Sequence, residues 1–480
     1  MSILGAGLVV LIALTGAASA QQSSSWPQFQ KDGAHSGSGT GPEPPYREAW
    51  HFDVERVEQR GASAPVIAGD VVIVVGPKSV YGIDLATGAP EWGVPRAEGS
   101  PVSGAVVHGD RDLFVYTEGG GLEDPEATPT PEATGSDDRE RSTVVAIDIE
   151  TQEEVWSTDA VLEGVAEAPP VAHGDTLIVG DDTGVLAALD AATGKPVWNE
   201  PVDVGGEVLR SPAVANGKVV LSFQQADEVQ PTVAAYDLAT GAVLWSVAPP
   251  VTAPNPFTTV PTIADGAVFF GAFDRVVHAL SLADGAQRWS TSAGFRSFGL
   301  LTSPAAADGA VYLGDDTGGL HRLDTNTGQV EWSYALNSGI RFSAPVVSGQ
   351  AVVVGLIDGR LAAIDRDTGL LAWESDAGDE LGPIALSEDL LVVTRAAEGS
   401  GVVAFEHDPD ASLSAIVSPS ELQGSALVLG WLGAAAIVAL VLFVPLRLVA
   451  SRIAPSPVAD DASRGSAEDG TSDDEGDADE

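Results

Sequence analysis

The chain has 480 residues, 44% of them apolar, with 69 acidic against 23 basic side chains and a formal charge of −46. That balance opposes nucleic acid and anionic lipid surfaces as partners, since both carry the same sign of charge. The absence of cysteine excludes disulfides, thiolate metal sites and a cysteine nucleophile.

In chain order, Ile3 to Thr15 is apolar and Ala18-Ser-Ala20 supplies a small-residue cleavage pattern. Residues 1–20 therefore read as an export signal, though one without a basic start. Residues 21–45 are rich in Ser, Gly and Pro. They read as a strap whose Trp26 and Phe29 pack onto the body that follows. Tyr46-Arg-Glu-Ala-Trp50-His-Phe has the look of an outer strand with no repeat before it.

From there one pattern recurs. Its clearest copy is Ser303-Pro-Ala-Ala-Ala-Asp-Gly-Ala-Val-Tyr-Leu-Gly, then Gly319-Leu-His-Arg-Leu-Asp, then Thr327-Gly-Gln-Val-Glu-Trp332. Copies end at Trp92, Trp156, Trp198, Trp245, Trp289, Trp332 and Trp373, spaced by about 41 to 47 residues save one gap of about 64. Each copy holds four short strands. Pro stands near the start of the first, where a missing donor is tolerated. A continuous apolar run such as Ala351-Val-Val-Val-Gly suits a strand buried on both faces. Asp358-Gly359 is a hairpin signal, and Asp367-Thr-Gly369 is a turn in which Gly is free to take positive φ. Short strands repeating at a period in the forties predict a β-propeller.

The final copy, Leu381-Gly-Pro-Ile-Ala through Val402-Val-Ala-Phe405, has three strands and no Trp. Trp50 would bring the missing fourth strand and close a ring of eight blades, which removes exposed sheet edges. The predicted fold is thus all-β, an eight-bladed propeller of four-stranded antiparallel blades over residues 46–408, plus a C-terminal transmembrane helix. Residues 117–142 interrupt blade two with no apolar rhythm and read as a disordered insertion. Residues 409–424 read as a polar linker. Residues 425–446 are long and apolar enough to span a bilayer, with Arg447 and Arg452 just beyond. The positive-inside rule places these Arg residues, and the acidic tail 447–480, in the cytoplasm. The expected location is the cell membrane, single-pass, with the propeller outside.

The strings Asp84/Thr87/Gly88/Trp92, Asp190/Thr193/Gly194/Trp198, Asp237/Thr240/Gly241/Trp245, Asp324/Thr327/Gly328/Trp332 and Asp365/Thr368/Gly369/Trp373 resemble the quinoprotein-type (PQQ-like) repeat propeller family. Two copies depart from it: Gln152 follows Thr151, and Ser281 stands where Asp is expected. In architecture the chain is similar to the bacterial outer-membrane-assembly scaffold lipoproteins. The resemblance implies that Trp50, Trp92, Trp156, Trp198, Trp245, Trp289, Trp332 and Trp373 dock neighbouring blades. Quinoprotein dehydrogenases of this family hold pyrroloquinoline quinone (PQQ) and calcium on the axis, with a catalytic Asp and often a vicinal Cys pair. Here there is no Cys, and no catalytic Asp or calcium ligand set can be matched.

The seven His are scattered without metal-ligand spacing, and no G-x-S-x-G elbow occurs. Asp181-Asp182 and Asp315-Asp316 precede Thr-Gly in equivalent turns, where turn formation explains them more simply than a cation. Arg60, Arg210, Arg296 and Arg341 lie on the segments leading into inner strands, where a propeller gathers loops at the channel mouth. They form a candidate cationic collar for carboxylate or phosphate groups. The acidic, Lys-poor composition resembles that of proteins from salt-loving archaea. Taken together, the sequence predicts a non-enzymatic, membrane-anchored scaffold that binds a protein partner at the cell envelope. No cofactor or metal is predicted. The alternatives are a PQQ-dependent dehydrogenase or cofactor-binding sensor, and recognition of an exported sugar or polymer.

Overall fold

The computed structural model describes residues 26–54, 63–97, 103–109, 111–119, 141–225, 231–250, 258–272, 274–292, 302–341, 343–378, 380–395 and 401–411. Within them the chain forms eight sheets, each built on four antiparallel strands, in chain order in all but the last. This is the eight-bladed propeller that the repeats predict. The expected signal (1–20), the linker beyond residue 411, the spanning helix (425–446) and the acidic tail lie outside the described residues. Among the described residues no helix is long and apolar enough to cross a membrane.

Blades one to seven begin with the innermost strands Val66–Ala68, Ala105–Val107, Val171–His173, Ala213–Ala215, Thr262–Ala264, Ala305–Ala307 and Val346–Ser348, and blade eight with Leu381–Leu386. Blade six shows how the sequence dictates the unit. Asp308-Gly309 joins its first two strands with positive φ at both positions (47° and 77°), which matches the right-handed twist of the flanking strands. Ala310–Gly314 is buried along its whole length, as a run apolar on both faces requires. After the third strand, Asp324 Oδ1 accepts the Thr327 N–H and hydroxyl at 2.8 and 2.7 Å, closing the turn with a side chain.

Gly328 completes that turn, and its lack of a Cβ has a second use. The Trp289 ring of the preceding blade lies on Gly328, where a Cβ would come within 2.5 Å of it. The Trp289 indole donates to the Thr325 carbonyl at 3.0 Å. The same joint recurs around the ring. Trp50, Trp156, Trp198, Trp245 and Trp332 donate to the carbonyls of Leu85, Ala191, Leu238, Leu282 and Arg366 at 2.8–3.1 Å. Each joint therefore combines a hydrogen bond worth about 1 kcal/mol with burial of a large ring.

Two joints differ, both where the sequence departs from the pattern. In blade two Gln152 takes the positive φ (60°), and its side-chain amide donates to the Ile149 carbonyl at 2.8 Å. That carbonyl is the counterpart of those that accept indoles elsewhere. Trp92 instead covers Gly82 of its own blade and packs beside Ile149. Blade eight has no Thr-Gly turn, and Trp373 meets the edge of Tyr46 (5.0 Å, 80°). Two expectations about strands need correction. Trp198 falls outside the regular outer strand of blade three, which is reduced to a Pro196–Leu189 bridge and Val202–Asp203, because Pro196 and Pro201 cannot donate to a ladder. In blade two, pairing continues through Thr117 to Gly119 opposite Val144 to Ser142, so the insertion is shorter than its composition suggests.

Ring closure follows the split-blade reading. Tyr46–Asp53 pairs antiparallel with Gly401–His407, Trp50 opposite Ala404, and Arg47 binds Glu406 at 2.8 Å.

The strap runs along the axis and meets the innermost strands in order. Trp26 exchanges two backbone bonds with Ile67 (3.1 and 2.9 Å), and the Pro27 carbonyl accepts from Val106 at 2.7 Å. The Gln28 amide bonds both backbone groups of Ala172 at 2.8 and 3.0 Å. The carbonyls of Gly33, Ala34, Ser36 and Gly37 accept from Val214, Ile263, Ala306 and Val347. In every case the partner is the central residue of a three-residue inner strand, whose N–H would otherwise face the axis unpaired. His35 is wholly buried within this run. Its Nδ1 stands 3.1 Å from the Pro261 carbonyl and its Nε2 3.4 Å from the Ser211 hydroxyl.

Two outcomes follow from these contacts. Gly241 and Gly174 both have positive φ (73° and 59°), but a methyl on Gly241 would stand 2.8 Å from Trp198 whereas one on Gly174 meets open space. Backbone strain alone costs about 1–2 kcal/mol. Gly241→Ala should lose at least about 1 kcal/mol more than Gly174→Ala in denaturant unfolding; equal losses would mean that the indole seat contributes nothing. The second concerns acid. Burial lowers the His35 pKa from 6.5 to about 4, opposed by the Pro261 carbonyl and Asp32. The unfolded chain then binds a proton that the folded chain refuses. The neutral-His35 contribution is complete above pH 6.5 and is lost as pH falls toward 4, about 2–3 kcal/mol by pH 4.5. Unfolding free energies at pH 7.0 and 4.5 should differ by that much less in His35→Gln than in the parent.

Candidate functional site

Chemistry-bearing side chains gather at three places: the axis, the turns between second and third strands, and the segments leading into inner strands. The Asp181-Asp182 turn is satisfied by nearby backbone and hydroxyl donors, whereas in the Asp315-Asp316 turn Asp316 Oδ1 is buried without a hydrogen-bond partner among the described residues. Asp181 Oδ1 accepts from Thr183 N, Thr183 Oγ1 and Val185 N, and its Oδ2 from Glu163 N and Gly164 N, all at 2.7–3.0 Å. Asp182 accepts from Val165 N at 2.8 Å. Asp315 repeats the pattern with Thr317 and Gly319. Burial pushes its carboxyl up, but the nearby His321 ring and the donors of Thr317 and Gly319 outweigh this and leave it below the ordinary value. Among the described residues no three His, Asp or Glu side chains converge on a metal position.

Sequence reading missed one row of side chains. His321 Nδ1 lies 2.8 Å from the Ser333 hydroxyl, and its Nε2 3.7 Å from Asp315 Oδ2. The order serine, histidine, aspartate matches a nucleophile series, but 3.7 Å exceeds hydrogen-bond reach and Asp315 Oδ1 is committed to its turn. The available signal was Gly319, where a Cβ would come within 2.6–2.7 Å of both Asp315 and His321.

The axis does not fit a planar quinone tricarboxylate with its cation. Trp26, Gln28, Gln30 and His35 are buried there. The void beside Trp26, Phe29, Pro65 and Ile384 has room for about a single water, and Gln30 Oε1 is buried without a partner. The fully buried residues there are neutral or apolar, and Lys31, the strap's cation, is committed to the Ser38 carbonyl, whereas three carboxylates require cations.

Of the collar residues, Arg60 and Arg296 lie outside the described residues. Arg210 and Arg341 are exposed on the segments leading into blades four and seven. Arg210 borders a small cleft of about 70 Å³ with Leu209, Ser222, Phe223, Pro231 and Thr258. One wall is an unexpected short strand, Gly206–Glu207, paired with Gln224 and Gln225 of blade four.

Comparison with known proteins follows the fold. The family model described as outer membrane protein assembly factor BamB matches residues 140–296 and 274–417. The BamB of Burkholderia pseudomallei is 27% identical over 241 residues, 46% of this chain and 53% of that protein. Quinohemoprotein alcohol dehydrogenase ADH IIB of Pseudomonas putida is 33% identical over 126 residues, 22% of this chain and 17% of that enzyme. The chain thus spans about a sixth of one relative and about half of the other. Among solved structures, BamB from Moraxella catarrhalis superposes with a TM-score of 0.54 at 16% identity, covering 75% of this chain and 100% of that one, which shows a shared fold. With the repeats, the eight closed blades and a family match over more than half its length, the chain belongs to the PQQ-like repeat propellers described as outer membrane protein assembly factor BamB.

Proposed function

We propose that this chain is an extracytoplasmic propeller, held at the cell membrane by residues 425–446, that binds a protein partner through the loops at its channel mouth and performs no chemistry itself. One observation carries the reading: the axis, where quinoproteins seat their cofactor, is taken by the chain's own residues 26–37, bonded to seven blades in turn. The Burkholderia relative is named for assembly of outer membrane proteins, which supports a scaffold role. An export signal at the start and Arg447 and Arg452 after the apolar stretch support an outside propeller and an inside tail. Arg60, Arg210, Arg296 and Arg341 supply scarce positive charge on an acidic surface, suited to acidic groups of the partner.

The 33% identity with an alcohol dehydrogenase favours one second reading, a quinone-dependent oxidation. A single preparation separates the two. The full chain, purified from detergent-solubilised membranes in high salt, is expected to bring down a protein partner in stoichiometric amount and to carry no bound quinone. Alcohol oxidation that depends on added PQQ and calcium would replace the scaffold reading with the enzymatic one. A tag on the tail should resist protease added outside intact cells; its removal would reverse the topology.

A further inference from the structure

We infer that the propeller face carrying the Thr-Gly turns is seated on the lipid surface of the anchoring membrane; this rests on the anchor at residues 425–446 in the reading above and names the face that meets lipid. The two faces differ in construction. Hairpins joining first to second strands share one face with the Thr-Gly turns: Leu85, Leu238 and Arg366 donate backbone N–H groups to the carbonyls of Asp70, Gly217 and Gln350. Hairpins joining second to third strands share the other face with the segments between blades, as where Ile357 donates to the Gly339 carbonyl.

The chain leaves from the first of these faces. The Asp408 N–H donates to the Pro45 carbonyl at 2.8 Å, and His407 Nδ1 lies 2.8 Å from the Glu43 carbonyl. Glu43 Oε1 in turn accepts from Gln350, in the first hairpin of blade seven. Residues 412–424 separate this exit from the apolar stretch. Their greatest reach is about 45 Å. Presenting the channel mouth to lipid would take up about 20 Å of that in passing back along a blade, and presenting the Thr-Gly face takes up none.

Side chains select the same face. Among the described residues five large apolar side chains are exposed, and four of them, Val197, Val243, Leu244 and Leu370, stand just after Thr-Gly turns at 39–62% exposure. The fifth, Ile357, is on the other face. Blade packing does not require apolar residues there, since blades one, five and six carry Glu91, Arg288 and Glu331 where blade four has Leu244. In a ring of eight, blade seven lies across the axis from blade three, and blade eight across from blade four. Leu370 and the chain exit therefore stand opposite Val197, Val243 and Leu244, so the face can lie level on a surface. Lys195 and Lys218, two of the four Lys in the chain, are on the same side of blades three and four. Apolar groups beside Lys suit the boundary between acyl chains and headgroups, where the amine reaches phosphate while the apolar groups enter. The contact is apolar in origin, because the net charge opposes attraction to anionic headgroups. It leaves the channel mouth turned away from lipid and open to a partner.

The chain has no Cys, so single labels are unambiguous. Val197→Cys, Leu370→Cys and Ile357→Cys are each made in the full chain and labelled with bimane. They are reconstituted into phosphatidylcholine vesicles bearing a nitroxide on the headgroup, in about 1 M KCl, where the Debye length is about 3 Å and charge repulsion is screened. Labels at 197 and 370 should be quenched at least about threefold more than the label at 357, which stands about 20 Å farther from lipid. Equal quenching at all three, or stronger quenching at 357, overturns the assignment. A second variant separates contact from tethering. Adding Val243→Asp and Leu244→Asp should at least about halve the quenching at 197 with an unchanged melting temperature, since both side chains are exposed. Unchanged quenching at 197 would mean that the tether alone orients the ring, and overturns the contact surface. If alkaline washing strips the chain from vesicles on which the difference was seen, the anchor reading fails and the lipid contact stands. A chain that survives the wash with equal quenching keeps the anchor and removes only the face.

Discussion

A blade that ends in a three-residue strand at the axis leaves a backbone N–H pointing into a narrow, water-poor space. Seven blades here share that problem, at Ile67, Val106, Ala172, Val214, Ile263, Ala306 and Val347. A buried donor without an acceptor costs about 1–3 kcal/mol, so seven together would exceed the net stability of many domains. The strap removes the cost by laying one acceptor against each. The same segment continues into Tyr46–Asp53, which completes blade eight. One stretch of about 28 residues therefore contacts every blade, from inside in seven cases and as the outermost strand in the last.

That solution shapes function. A filled axis cannot also be a cofactor chamber, and Asp181 spends its oxygens on the backbone N–H groups of Glu163, Gly164 and Val185. On the rim lie exposed linkers and a cleft walled by a supernumerary strand. The chain shares its fold with an alcohol dehydrogenase and with assembly factors, and repeat residues do not discriminate between them. The segments between repeats do.

The fold was legible because its information is local and repeated. Asp-x-x-Thr-Gly-x-x-x-Trp holds a turn, a positive φ and a docking ring within nine residues, and five near-complete copies exclude coincidence. The split blade was legible from what the last copy lacks. The joint at Gln152 was not, since nothing in the string indicates that an amide would take the carbonyl an indole takes elsewhere. Nor was the path of the strap: Gln28 meets Ala172, and Gln30 meets Pro304, across separations of 144 and 274 residues. Arg210 was legible as a position, whereas its cleft depends on Gly206 and Glu207 adding to a strand that the repeat pattern ends earlier.

Amide hydrogen exchange at single-residue resolution tests the strap's role most directly. If the strap seals the axis, the N–H groups of Ile67, Val106, Ala172, Val214, Ile263, Ala306 and Val347 should exchange only with global unfolding, at the rate of ladder amides such as those of Ala310–Gly314. Exchange of these seven well ahead of the ladders, with the blades still intact, would mean that the strap is a loosely held tail and that the axis is open.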